Sequence, residues 1–116
     1  MYRIIYYRSA RGDCPVLEFI ESLDEKAAAK VLAFVELLKE KGPNLLRPYA
    51  DKVRGPLREL RVQVGRRNLR TLYFFMRRDN IVLVHSFIKK TNAIDESDIR
   101  LAESRMTDWI YRSGGK

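Results

Sequence analysis

Eleven lysines and arginines stand between Lys52 and Lys90, against two acids, Glu59 and Asp79. The formal net charge of +8 therefore belongs to about one third of a 116-residue chain, and the remainder is close to balanced. A guanidinium grips a phosphate through two parallel N–H bonds and an ammonium meets it as a point charge, so the cluster suits a polyanion such as nucleic acid. Arg70 is the odd member: it interrupts the apolar run Leu69–Phe75, where a charge without a partner is costly. Metal and thiol chemistry are poorly served. Cys14 and His85 are the single cysteine and the single histidine, which excludes an intramolecular disulfide and a Cys/His metal cluster. His85, inside the apolar run 81–87, reads as a hydrogen-bonded core group, and Cys14 as structural. No metal and no cofactor are expected.

The basic residues fall on a strand-rich segment, and strands must therefore position them. Leu60, Val62 and Val64 alternate with Glu59, Arg61 and Gln63, which gives one strand, Leu57–Val64, a core face and a wet face. Two further strands, Leu69–Arg77 and Ile81–Ile88, follow after short turns, and spacing this tight dictates antiparallel hairpins. Ahead of them Tyr2–Arg8 reads as a first strand, followed by a short helix that begins at Pro15 with Val16, Phe19, Ile20 and Leu23 on one face. Ser22 and Glu25 form a capping-box pattern for a second helix, whose apolar face is Ala28, Val31, Leu32, Val35 and Leu38 and which stops at Gly42-Pro43. Residues 44–56, with Pro48, Gly55 and Pro56, read as a loop. Asp95 and Asp98 signal a last helix to Arg112, with Ile99, Ala102, Met106, Trp109 and Ile110 inward. The expected fold class is α+β: an N-terminal strand, a two-helix hairpin, a three-stranded antiparallel meander completing one twisted sheet, and a C-terminal helix.

The length fits one domain, expected over residues 1–112, with residues 113–116 as a disordered tail. The longest apolar runs, Leu72–Met76 and Ile81–Ile88, are strand-sized rather than membrane-sized, and the N-terminus has no signal-like stretch, so a reducing cytoplasmic location with no membrane partner is expected.

This order of elements, together with Glu59-Leu60-Arg61, Asn68-Leu69-Arg70-Thr71-Leu72-Tyr73 and His85-Ser86-Phe87-Ile88-Lys89-Lys90-Thr91, resembles the RelE/ParE toxin superfamily over nearly the whole chain. The likeness is closest to its HigB-like, phage-derived branch. The resemblance implies a RelE-like fold and a type II toxin that acts as an mRNA endoribonuclease at the ribosome and inhibits translation. It also implies a cognate antitoxin, often a helix-turn-helix protein, with the ribosome and mRNA as further partners. Position by position, Arg61 matches the arginine of the Glu-Leu-Arg motif, Arg70 the arginine at the scissile phosphate, and Lys89 and Lys90 the basic pair that holds a second catalytic cation. Two departures stand out: RelE-type toxins often carry lysine where Glu59 stands, and a tyrosine shortly after the basic pair, where this chain has Asn92–Ile94.

Cutting RNA without a metal needs a base for the 2′-OH, cations for the charge that builds on the phosphoryl oxygens, and an acid for the leaving oxygen. The residue types fit: Arg61 and Arg70 to clamp the phosphate, and Lys89 or Lys90 to move a proton. Replacing Arg70 by alanine is expected to abolish growth arrest while sparing the fold. The remaining cations, Lys52, Arg54, Arg58, Arg66, Arg67, Arg77 and Arg78, are expected to hold RNA backbone, and Tyr73 to stack on a base. Each also has a plainer reading: a strand-end or surface charge for the cations, a packed core residue for Tyr73. Two other functions fit the same chain, a ParE-type inhibitor of DNA gyrase and a non-enzymatic nucleic-acid-binding module. The antitoxin is expected either over the basic face or on the outer helices, where Glu18, Glu21, Glu36 and Glu40 reverse the charge.

Overall fold

The computed structural model describes residues 1–114 and has an α+β architecture: a five-stranded mixed sheet with helices on both faces. The strands are β1 (Arg3–Tyr6), β2 (Ala50–Arg54), β3 (Leu57–Val64), β4 (Arg67–Met76) and β5 (Asn80–Lys89). The helices are α1 (Pro15–Glu21), α2 (Glu25–Lys41) and α3 (Glu96–Arg112). Strand order is β1-β5-β4-β3-β2, with β1 parallel to β5 and every other pair antiparallel. The meander β3-β4-β5 thus forms the middle of the sheet, as its short turns require.

Alternation along the strands divides the apolar residues between two cores. Leu60, Val62, Val64, Leu69, Tyr73, Ile81 and Leu83 pack under α1 and α2 with Val16, Ile20, Val31, Val35 and Leu38. On the other face Leu57, Leu72, Phe74, Val82 and Val84 pack against α3 through Ala102, Ile99, Met106 and Trp109. Truncating a fully buried side chain such as Leu38 to alanine would cost roughly 2–5 kcal/mol. α2 ends where Gly42 takes a positive φ of 55°. The ring of Tyr2 also fills the space a Cβ would need there, so glycine is required twice over. α3 is tied back to the start of the chain by Tyr7 Oη, which donates to Asp108 (2.7 Å), and by Arg112, which donates to the Arg8 carbonyl (2.6 Å).

Five sequence expectations change. Leu32, expected on the apolar face of α2, is 43% exposed, and the buried stripe is Ala27, Val31, Val35 and Leu38. Residues 44–56 are not all loop: Ala50–Arg54 forms edge strand β2 against β3, its five residues hidden between turn formers on both sides. The cap of α2 is Asp24, whose carboxylate accepts from Ala27 N–H (3.3 Å). Ser22 instead turns back to the Phe19 carbonyl (2.6 Å) and closes α1. β1 is shorter than Tyr2–Arg8. Ser113, assigned to the tail, caps α3 through its hydroxyl to the Trp109 carbonyl (2.6 Å), while residues 115–116 of that tail lie outside the described residues.

Candidate nucleic-acid interface and reaction site

Registers across β3, β4 and β5 set the site out as rows on the α3-side face of the sheet. Glu59–Leu72–His85 form one row, Arg61–Arg70–Phe87 the next, and Gln63–Asn68–Lys89 the last. With strands about 4.8 Å apart, each row spans roughly 10 Å between outer Cα atoms. α3 is anchored over the first row, where His85 Nε2 lies 2.7 Å from Asp98 Oδ1. Of the core on this face, only Phe87 belongs to the two further rows.

A bulge makes this face what it is. Leu72 lies opposite His85 and Tyr73 opposite Leu83, so Val84 is an extra residue in β5. Val84 and His85 both turn towards α3, and from there Phe87 and Lys89 share the face of Arg61 and Arg70.

Arg70 is 6% exposed, and its Nε stands 2.9 Å from Glu59 Oε1, while Nη1 donates to the Leu69 carbonyl (3.1 Å). Burial pushes the Arg70 guanidinium down from its ordinary value, Glu59 opposes that, and Arg61 adds to it. The other Glu59 oxygen is 4.0 Å from Arg61 Nε, so one carboxylate sits between two guanidinium forks. Arg61 remains 32% exposed at its side chain. A guanidinium has five N–H donors, so both forks keep donors for an anion after Glu59 is served. Arg61, Arg70, Gln63, Asn68 and Pro48 line a depression of about 210 Å³. Lys89 and Lys90 line a smaller one of about 120 Å³ with Phe87, Thr91, Asp95 and Asp98. The pairing also changes one expectation: alanine at Arg70 would strand the buried Glu59 carboxylate, so the fold would not be spared.

His85 closes the α3 end of the face. Arg105 Nη1 lies 3.3 Å from His85 Nδ1 and donates to the Val84 carbonyl (2.8 Å). A guanidinium only donates, so Nδ1 accepts and Nε2–H points to Asp98, which is the neutral ring. Burial, which outweighs Asp98, lowers the His85 pKa, and Arg105 lowers it further. The ring stacks on Phe87 at 5.1 Å.

The other predicted contact residues are spread more widely. Arg54 is bidentate to Glu96 and paired with Glu103, which ties β2 to α3. Arg67 binds Asp24 at 2.7 Å, at the cap of α2. Arg66 is exposed in the β3–β4 turn, at the Gln63–Asn68–Lys89 end of the sheet. Lys52 is exposed on β2, in register with Arg58. Arg58 is itself in register with Tyr73 and lies on the α1/α2 side of the sheet. Tyr73 is 0% exposed and burial raises its pKa, so no face of its ring is open to a base. Arg77 and Arg78 lie in the β4–β5 turn, at the opposite end of β4 from Arg70, around a hollow of about 370 Å³ shared with Arg3. The Arg77 guanidinium donates to the Ser113 carbonyl (3.2 Å). Gln63, Asn68 and Phe87 join the site without having been singled out, and Glu59, noted from the sequence only as a departure from the family pattern, joins it as the partner of both arginines. The alternation of Glu59, Arg61 and Gln63 carried that signal, whereas Phe87 could be placed only once the bulge was known.

The family model described as Phage derived protein Gp49-like (DUF891) matches residues 18–107, more than three quarters of the chain. The match runs from α1 through the whole of the β3–β5 face and into α3. No curated protein matches the chain. Among the described residues, no helix is long and apolar enough to cross a membrane.

Proposed function

We propose that this chain, which belongs to the Gp49-like phage-derived family grouped with RelE/HigB-like toxins, is the toxin of a type II toxin–antitoxin pair and a metal-independent endoribonuclease acting on ribosome-bound mRNA. The observation that carries the reading is the row Arg61–Arg70, two guanidinium forks held around one carboxylate on the sheet face beyond α3. Such preorganised donors suit the charge that develops on phosphoryl oxygens. The 2′-oxygen forms a bond to phosphorus as the bond to the 5′-oxygen breaks. Glu59 takes the 2′-OH proton, and Lys89 or Lys90 supplies one to the leaving 5′-oxygen. The products end in a 2′,3′-cyclic phosphate and a 5′-OH. Exposed cations near the site, Arg66 foremost, hold RNA backbone in register.

The test is primer-extension mapping of mRNA on programmed ribosomes incubated with the purified chain, with the ends of the fragments analysed. Cleavage that leaves a 2′,3′-cyclic phosphate and a 5′-OH supports the reading, as does a rate reduced about 100-fold by Arg61→Ala or Arg70→Lys. Intact mRNA with the parent chain would sink it, and inhibition in a DNA-supercoiling assay would then select a gyrase inhibitor.

A further inference from the structure

α3 carries three arginines, and two of them pair with acids of the same helix. Arg100 meets Glu96 at 3.2 Å and Arg112 meets Asp108 at 2.8 Å, each four residues away. At that spacing Arg105 has only Leu101 and Trp109. Asp108, three residues on, is already held by Arg112 and by the Tyr7 hydroxyl. Arg105 is half-buried against the Tyr7 ring, 5.9 Å from its centre, and turns to the sheet.

What it meets there is the bulge. Arg105 Nη1 donates to the Val84 carbonyl at 2.8 Å and lies 3.3 Å from His85 Nδ1, so one nitrogen serves both the extra residue of β5 and the residue after it. Asp98, about two turns earlier on α3, takes the other ring nitrogen of His85 at 2.7 Å. The residue before the bulge is pinned from β1's side, where the Tyr7 N–H donates to the Leu83 carbonyl (2.9 Å). Val84 is fully buried, and a buried carbonyl deprived of its donor is costly. Arg105 is the side chain that holds the extra residue itself.

That hold decides which side chains reach the arginines. With Val84 set aside from the ladder, Phe87 stands opposite Arg70 and Lys89 opposite Asn68. Paired regularly, Val84 would take the place of His85 opposite Leu72, and every later residue of β5 would move by one. Ser86 would then face Arg70 and Ile88 would face Asn68, with Lys89 turned to the other side of the sheet. An isoleucine offers no proton where the ammonium stood.

We propose that Arg105 is a positioning residue for RNA cleavage: from α3 it selects the bulged register of β5 and so keeps Lys89 on the face of Arg61 and Arg70. The proposal rests on the ribonuclease reading of that face. Two measurements test it, single-turnover cleavage of mRNA on programmed ribosomes and, in the free chain, the cross-strand NMR contacts of Asn68. Arg105→Met keeps the length of the side chain and loses every donor. Its cleavage rate at saturating ribosomes falls about 100-fold, the size expected when a reacting group is displaced by roughly 1 Å or more, and KM stays as in the parent. The Asn68 contacts of this variant pass from Lys89 to Ile88. Arg105→Lys still donates to the Val84 carbonyl, so it keeps the parent contacts and a rate within about threefold of the parent. Contacts are recorded well below the melting point of each variant, where a loss of stability alone leaves them unchanged. An Arg105→Met chain with Asn68 still against Lys89 would overturn the proposal. So would a raised KM at an unchanged maximal rate, which would make Arg105 a contact to RNA, or a loss in Arg105→Lys as large as in Arg105→Met. A parent chain that cuts no mRNA defeats the ribonuclease reading, while the NMR contacts still decide whether Arg105 holds the register.

Discussion

The two ends of the α3-side sheet face are built from the same three strands and differ in what lies over them. At one end Leu57, Phe74 and Val82 meet α3, and the surface is apolar and closed. At the other the rows Arg61–Arg70–Phe87 and Gln63–Asn68–Lys89 extend past the helix anchor at His85. Arginines occur at both ends and do different things. Arg54 spends its guanidinium on two exposed acids of α3 and fastens the edge strand to the helix. Arg70 is buried and shares a single buried carboxylate with Arg61. A cation with two acids is a fastener, whereas two cations around one acid keep donors for something else.

The sharpest way to break this contrast is to remove each arginine in turn. Arg70→Ala leaves Glu59 charged and buried, at a cost of roughly 3–5 kcal/mol, read as a lowered urea midpoint. Arg54→Ala leaves the midpoint nearly where it was, because its partners remain in water. Equal losses would erase the distinction between the two ends.

Catalysis separates the ends next. Lys89→Ala lowers the single-turnover cleavage rate about 100-fold, as expected for loss of a proton donor. Arg78→Ala, at the far end of β4, leaves that rate alone and lowers the salt dependence of RNA binding by a slope of about 1. A slowed chemical step in Arg78→Ala would merge the two basic populations.

The smallest effect is a pH signature at the boundary between the ends. The folded ring of His85 is held below its ordinary value of 6.5, so the unfolded chain takes up the proton first. Stability therefore falls as pH drops from 6.5 towards the lower folded value and levels off beneath it. His85→Gln removes that part of the slope in melting curves between those limits. A slope unchanged by the substitution would mean that His85 is not the titrating group.

Most of the fold was legible because it obeys local rules. α1 and α2 follow from apolar periodicity, and the meander from alternation and short turns. Arg70 announced itself as a charge in an apolar run. β2 stayed hidden because five mixed residues between Pro48 and Gly55-Pro56 carry no period, and its partner comes later in the chain. The capping box failed since Ser22 is still bonded to the turn behind it, which left Asp24 as the cap. The site was half legible. Arg61 and Arg70 are cross-strand neighbours that the hairpin spacing could place together. The role of Glu59 depends on a buried pairing, and that of Arg54 on acids 42 and 49 residues away. Tyr73 shows the cost of reading residue type without face: its strand turns it into the α1/α2 core.

The extra residue in β5 has a consequence for lineage as well as for shape. It works as a phase slip: His85, Phe87 and Lys89 inherit the face of Val82 and not that of Leu83. Deleting one codon there would remove the bulge and leave His85, Phe87 and Lys89 on the same face, because each would keep its partner on β4. Drawing Val84 into regular pairing without a deletion would instead turn the same letters to the other side of the sheet and bring Ser86 and Ile88 to the arginines.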